Sequence, residues 1–311
     1  MQYLTVPGPT GELGVVDYGG DGRPVLLLHG GASTAVTWAP LAARIVSHLR
    51  VYALDFRGHG RSSPAEDFSV SLGADDVAAT VDGLGLERPL LVGSSLGGMV
   101  AVAYAARQPA GAARPRAVVN IDGFGAGHPA QFPGISADRL NAALDHWAAE
   151  SIGSFGSSTD HGDRSWVDSQ VQAARPDVEA FGLAWEAVAG LIRAGFRPVG
   201  DRFQRQPGNA LNQAMYRSLR GYDMRPHYRA VSCPTLVLRA ELRIPPDSAP
   251  EDAALLAAYQ QGLTAELAQL QRENDLVAVE NIPAPHLAHL EWTSPLATKL
   301  VSFDAVAGRD E

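Results

Sequence analysis

LLVGSSLGGMVA (90–101) places two adjacent serines inside a glycine cluster, directly after an apolar run. Residues 89–94 read as a buried strand and 97–107 as a helix, so the serines sit on a strand-to-helix turn. Glycine spacing separates the two. A nucleophile on such a turn takes a strained backbone, and the residues two before and two after it must be small. Ser95 has Gly93 and Gly97 at those positions, whereas Ser94 would have Val92 and Leu96. Ser95 therefore fits the apex, with Ser94 as its neighbour. The competing reading is a plain Gly/Ser chain reversal, because G-x-S-x-G alone is common by chance.

The same rhythm extends outward. VLLLHGG (25–31), VYALDF (51–56) and RAVVNID (116–122) read as further buried strands, with helical spacing at 38–49 and 74–84 between them. PTLVLRA (234–240), an amphipathic helix over 251–273, a strand at 275–282 and a C-terminal helix complete the pattern. Leu255, Leu256, Tyr259, Leu263, Leu267 and Leu270 form the stripe of that long helix. Residues 1–18 look like an edge hairpin. Buried strands alternating with helices predict an α/β fold with a mostly parallel sheet covered on both faces. Residues 123–230 break the rhythm: helical patches, Gly/Pro/Ser turns, three of the five tryptophans and no convincing strand. The chain thus reads as one α/β core (1–122 and 231–311) carrying a helical cap insertion at 123–230.

Composition narrows the partners. A net charge of −9 without a Lys/Arg run argues against nucleic acid. No apolar stretch approaches the ~20 residues that cross a bilayer. The N-terminus lacks a basic segment followed by an apolar core, so no signal peptide is read. Cys233 is the single cysteine, read as a small buried hydrophobe, and a cytoplasmic location is expected. GFGAG (123–127) lacks dinucleotide-fingerprint spacing, and there is no H-E-x-x-H or Cys/His cluster, so neither a cofactor nor a metal is expected. The expected partner is a small-molecule substrate. Oligomeric state is left open.

Acyl-transfer chemistry needs backbone N–H donors for a developing oxyanion. LLLHGGAS (26–33) offers a glycine-rich strand end, and the donors chosen are the N–H groups of Gly31 and Leu96, with His29 supporting the loop. A plain strand-ending turn is the alternative. Nine histidines are available as the base. His286, in IPAPHLAHLEW after the last strand, has the position and the chain order that a Ser…acid…His arrangement requires, and His289 is its alternative.

VLLLHGG, VYALDFRGHGRSS, LLVGSSLGGMVAVAYAARQP, CPTLVLRA and HLAHLEWTSP, in this order and spacing, resemble the α/β-hydrolase fold superfamily. The resemblance implies an eight-stranded, mostly parallel sheet flanked by helices and a cap between strands six and seven, where 123–230 fall. It also implies a Ser/His/acid triad without a cofactor. The family pattern G-H-x-x-x-L-E selects His286, with Leu290 and Glu291 in register and Pro285 in place of the glycine. The acid departs from the commonest pattern. In RAELRIPPD (239–247), Ala240 replaces the usual glycine and Arg243 holds the usual acid position. Relatives that draw the acid from the end of strand six favour Asp122; Glu241 is the alternative, with Asp247 behind it. Ser94 stands where many relatives carry histidine. DFRGHGRSS (55–63) is assigned no chemistry. Phe124, Phe132, Trp147, Phe155, Trp166, Phe181 and Trp185 either form the cap's own core or line an apolar pocket.

The expected activity is cleavage of an ester, lactone or thioester of a small-to-medium, fairly apolar compound through an acyl-enzyme. Serine at 95 argues against the aspartate-nucleophile chemistries of this fold. Hydrolysis of a C–C bond in a β-diketone by the same triad, and a non-catalytic ligand-binding role, are the competing readings.

Overall fold

A computed structural model describes residues 1–107, 113–125, 127–154, 159–180, 184–241 and 249–307 of the chain; the side chains at 147–154, 177, 180 and 187 lie outside that description. The chain opens with the hairpin β1 (Gln2–Gly8) and β2 (Gly11–Gly19), followed by β3 (Arg23–Leu28), α1 (Ala39–Ile45) and β4 (Leu49–Leu54). Next come α2 (Val70–Gly83), β5 (Leu90–Ser94), α3 (Leu96–Ala106) and β6 (Ala117–Ile121). The insertion holds α4 (Ala137–Ser154), β7 (His161–Gly162), α5 (Arg164–Ala173), α6 (Arg175–Ala180) and α7 (Trp185–Arg193). It continues through β8 (Phe196–Val199), β9 (Arg202–Arg205), α8 (Asn209–Leu219) and α9 (Arg225–Ala230). The core resumes with β10 (Thr235–Ala240), α10 (Pro250–Glu273), β11 (Val277–Ile282), α11 (Ala288–Glu291) and α12 (Thr293–Ala307).

Eight strands form one sheet in the order β1-β2-β4-β3-β5-β6-β10-β11. From β4 to β11 they are parallel, and the hairpin adds an antiparallel edge. The unbroken apolar runs follow from burial on both faces. Leu26, Leu28, Leu91 and Val118 face α2 and α3 in one core, whereas Val25, Leu27, Leu90 and Val92 face α1 and α12 in the other. Burying each such side chain contributes roughly 1.5–3 kcal/mol. The parallel order brings the C-terminal ends of β3, β5, β6, β10 and β11 to one rim, where the loops bearing the candidate residues meet.

The insertion differs from its reading as purely helical. It contains a three-stranded antiparallel sheet, β7-β9-β8, turned at Gly200 with φ +62°. These strands read HG, FRPV and RFQR. Each is too short and too charged to show apolar alternation, so the sequence pattern missed them. The last helix of the stretch, α9, packs on α3 of the core through buried Tyr228. Phe124 joins the main core, Phe132 packs with Leu140 and Leu255, and Trp166 lies edge-on to Phe196 at 5.3 Å. Phe155, Phe181 and the Trp147 side chain lie outside the described residues. Among the described residues no helix is long and apolar enough to cross a membrane.

Gly190 sits exposed inside α7, and a Cβ built there meets nothing within 4 Å. Gly190→Ala is expected to raise stability by about 0.5–1 kcal/mol, through reduced backbone freedom in the unfolded chain. A urea unfolding midpoint at or below wild type would contradict this.

Candidate active site

Ser95 takes φ +52°, ψ −119° between β5 and α3, and its N–H donates to Ile121 O at 2.8 Å. A non-glycine residue held there costs roughly 1–3 kcal/mol, which the surrounding backbone must impose. The glycines make that possible. A Cβ on Gly93 would lie 2.1 Å from Gly97 O, and one on Gly97 would lie 2.1 Å from Leu28 O. One on Gly98 would lie 1.9 Å from Asn120 Oδ1. The spacing that selects Ser95 in the sequence thus corresponds to main chains of β3, β5 and α3 in near contact. Ser94 ends β5, fully buried, opposite Ile121.

Asp122 follows β6 at φ +54°, with its N–H donating to Leu238 O at 2.8 Å. Asn120 closes this turn: its Oδ1 accepts from Gly123 N–H at 2.9 Å, and its Nδ2 donates to Gly123 O at 2.7 Å and to the Tyr228 hydroxyl. The turn aims the Asp122 carboxylate outward. Its Oδ1 accepts from Ala240 N–H at 3.0 Å, and its Oδ2 lies 2.7 Å from His286 Nδ1. A carboxylate only accepts, so Nδ1 carries the hydrogen and Nε2 keeps its lone pair. Glu241, the alternative acid, is exposed and anchors its own N–H on Ala284 O at 3.0 Å; the carboxylate on His286 is Asp122's. Arg243 and Asp247 lie outside the described residues.

His289 is walled in, its ring 4.6 Å from that of Trp38, and burial pushes its pKa down to about 3. His286 is half exposed on the same loop. Ser95 and His286 are thus brought to one rim, yet among the described residues Ser95 Oγ makes no hydrogen bond to the imidazole. Such bonds often tighten only with substrate present.

The loop after β3, read from sequence as the oxyanion donor, passes beside Ser95. A Cβ on Gly30 would be 3.4 Å from Ser95 Cβ, and one on Gly31 would be 3.1 Å from Met215 Cε in α8. Among the described residues neither Gly31 N–H nor Leu96 N–H is taken by a hydrogen bond. Leu96 opens α3, where first-turn N–H groups are left unpaired by helix geometry. His29 holds the loop as expected: its Nδ1 hydrogen meets Gly30 O at 2.7 Å, and its Nε2 accepts from Phe56 N–H at 3.1 Å.

Sequence reasoning missed Asp55, whose Oδ1 accepts from Ala35 N–H at 2.6 Å and whose Oδ2 accepts from Arg61 N–H at 3.0 Å. DFRGHGRSS is therefore the bracket that carries the donor loop. Its one available signal was an aspartate directly after a buried strand.

Buried ionisable groups give the fold an acid sensitivity. Burial pushes His59 down to about 4 and His289 to about 3, and lowers His29 well below its usual value. These imidazoles stay neutral when folded and take up protons on unfolding below about pH 6.5. Their contribution is complete above that pH and is lost as pH falls toward 4 and 3. Burial raises Asp55 to about 6, so its carboxyl holds a proton when folded and opposes the trend between about pH 6 and 3.8. Burial lowers His227 as well and raises Asp76 and Glu266 alongside Asp55, so four imidazoles stand against three carboxyls, and the large imidazole shifts carry the sign. Urea unfolding is expected to show lower stability at pH 5 than at pH 7.5, with a shallower dependence for His289→Gln; an equal slope in that variant would refute the assignment.

Comparison with known proteins follows this geometry. Residues 23–256 match the family model described as alpha/beta hydrolase fold. Mouse protein phosphatase methylesterase 1 is 38% identical over 115 residues, 34% of this chain and 30% of that protein. The chain thus spans about a third of the length of the methylesterases it matches. The 2-(acetamidomethylene)succinate hydrolase of Mesorhizobium japonicum is 29% identical over 71% of this chain and 72% of its own. A crystal structure of E-2-(acetamidomethylene)succinate hydrolase superposes with a TM-score of 0.71 at 25% identity, covering 98% of this chain and 99% of that one. Sheet order, strained serine turn and family match agree: the chain belongs to the α/β hydrolase fold family.

Proposed function

We propose that the chain is a serine hydrolase that cleaves an ester, lactone or thioester of a small-to-medium, fairly apolar substrate through an acyl-enzyme. The observation that carries this reading is the 2.7 Å contact of His286 Nδ1 with Asp122 Oδ2, beside a serine held on a strained turn. Ser95 Oγ attacks the carbonyl carbon as its proton passes to His286 Nε2. The negative oxygen is held by the Gly31 and Leu96 N–H groups, and Asp122 stabilises the imidazolium. His286 then protonates the departing alcohol, thiol or lactone oxygen. A water molecule gives its proton to His286 and attacks the acyl carbon; the proton returns to Ser95 as the acid leaves. Water is the only co-reactant.

A fluorophosphonate probe followed by peptide mass spectrometry tests the reading. The expected result is a single adduct on Ser95. No adduct under conditions that label a control serine esterase, or an adduct on Ser94 instead, would overturn it. Turnover is then surveyed with p-nitrophenyl esters, a lactone, a thioester and 2-(acetamidomethylene)succinate, the last because of the relative that matches over most of both chains. Binding of such compounds without turnover or labelling would favour the ligand-binding alternative.

A further inference from the structure

The four candidate parts of the site are held in two different ways. Ser95 and Asp122 are held by core backbone, through their bonds to Ile121 O and Leu238 O and through the Asn120 clamp. Gly31 and His286 lie on loops whose outer sides meet the insertion. On the donor side, Met215 Cε sits where a side chain at position 31 would be. One turn earlier in α8, Leu211 Cδ2 would lie only 2.1 Å from a Cβ on Gly58, so side chains of α8 cover both rim loops. On the base side, Val178, Trp185, Val188 and Ile192 of α6 and α7 form one apolar cluster with Leu287 and Leu290. Those two leucines bracket the stretch that begins at His286. Apolar packing of this kind is short-ranged, so loss of one methyl group is felt by its neighbours.

We infer that the cap contributes positioning residues to the site: Met215 seats the Gly31 donor loop, and Val188 with Ile192 seats the His286 loop through Leu287 and Leu290. This rests on the triad reading above and adds to it that the insertion supports both loops from outside, on top of the core bonds made by His29, Asp55 and Asp122. Trp185, read from sequence as cap core or pocket wall, packs against Val178 and Val188 of the insertion, in the cluster that also takes in Leu287 and Leu290.

The test uses the full chain with Val188→Ala and Met215→Ala, and with Val188→Ile and Met215→Leu as conservative rescues. Proton NMR of the His286 Nδ1 hydrogen, assigned by its loss in Asp122→Asn, reports the base without needing turnover. The expected result is a broadened or displaced resonance in Val188→Ala and a wild-type one in Met215→Ala. Affinity for a trifluoromethyl ketone, which forms an oxyanion on Ser95, reports the donor. It is expected to fall about 10-fold in Met215→Ala while KM for a short ester stays within about 2-fold. Both conservative variants keep most of the apolar volume and are expected to lie closer to wild type than the alanine variants. Should Val188→Ala not fold, Ile192→Val removes a single methylene from the same cluster and is expected to give the same NMR change in smaller degree. Folded variants with an unchanged resonance and unchanged ketone affinity would overturn the inference. A wild type without phosphonate adduct would instead refute the proposed function, while the resonance would still decide whether the cap seats His286.

Discussion

Asp122→Asn is expected to lower kcat by about 10⁴-fold while leaving the fold intact. Asparagine keeps an oxygen for the Ala240 N–H bond, which is 3.0 Å in the native chain, so the turn retains its anchor. What changes is the group facing His286 Nδ1, now 2.7 Å from a carboxylate oxygen. An amide N–H placed there can only donate, which forces the imidazole hydrogen onto Nε2. The nitrogen that must accept the Ser95 proton is then already protonated, and the charge that stabilised the imidazolium is gone. Glu241→Gln is the matched control, expected to stay within about 2-fold of wild type because its carboxylate is not the one on His286. Steady-state kinetics on an ester that the wild type turns over would check the pair. A near-normal Asp122→Asn, or the large loss falling on Glu241→Gln, would reverse the assignment of the acid.

The second large effect is on stability. Gly97→Ala places a methyl group 2.1 Å from Leu28 O and 2.6 Å from Leu28 C. Both atoms are backbone of Leu28, the last residue of β3, so relief requires β3 and α3 to part. Overpacking of this severity is expected to cost more than about 3 kcal/mol. For a chain of this size the melting temperature should fall by at least roughly 5 °C, with loss of phosphonate labelling. Gly30→Ala provides the contrast. Its Cβ would meet Ser95 Cβ at 3.4 Å, an ordinary contact, so folding should be kept while access to the nucleophile is reduced. Equal melting temperatures for Gly97→Ala and wild type would show that the turn around Ser95 is looser than its geometry requires.

Much of this was legible in the chain itself. The alternation of VLLL, VYAL, LLVG and VVNI with helical spacing specified a two-sided parallel sheet, because burial on both faces leaves a continuous apolar run. Gly93 and Gly97 selected Ser95 because the steric demand of the turn acts within two residues. Where the needed information was non-local, the sequence left alternatives. Asp122 and Glu241 end neighbouring strands, and either strand end can present a carboxylate. The bond to His286 joins residues 164 positions apart, and depends on the β6-β10-β11 order together with the turn that Asn120 clamps. Register with Leu290 and Glu291 favoured His286 and kept His289 as an alternative; packing on Trp38 buries His289. The small sheet β7-β9-β8 escaped notice because strands of two to four residues carry no period to read. The sequence by itself determined the layers and the serine that takes the strained turn after β5, since each follows from burial or sterics between near neighbours. Only the tertiary structure showed which carboxylate meets His286, how Asp55 holds the loop after β3 and that α6 and α7 pack on Leu287 and Leu290, because those are contacts between chain segments that no local pattern records.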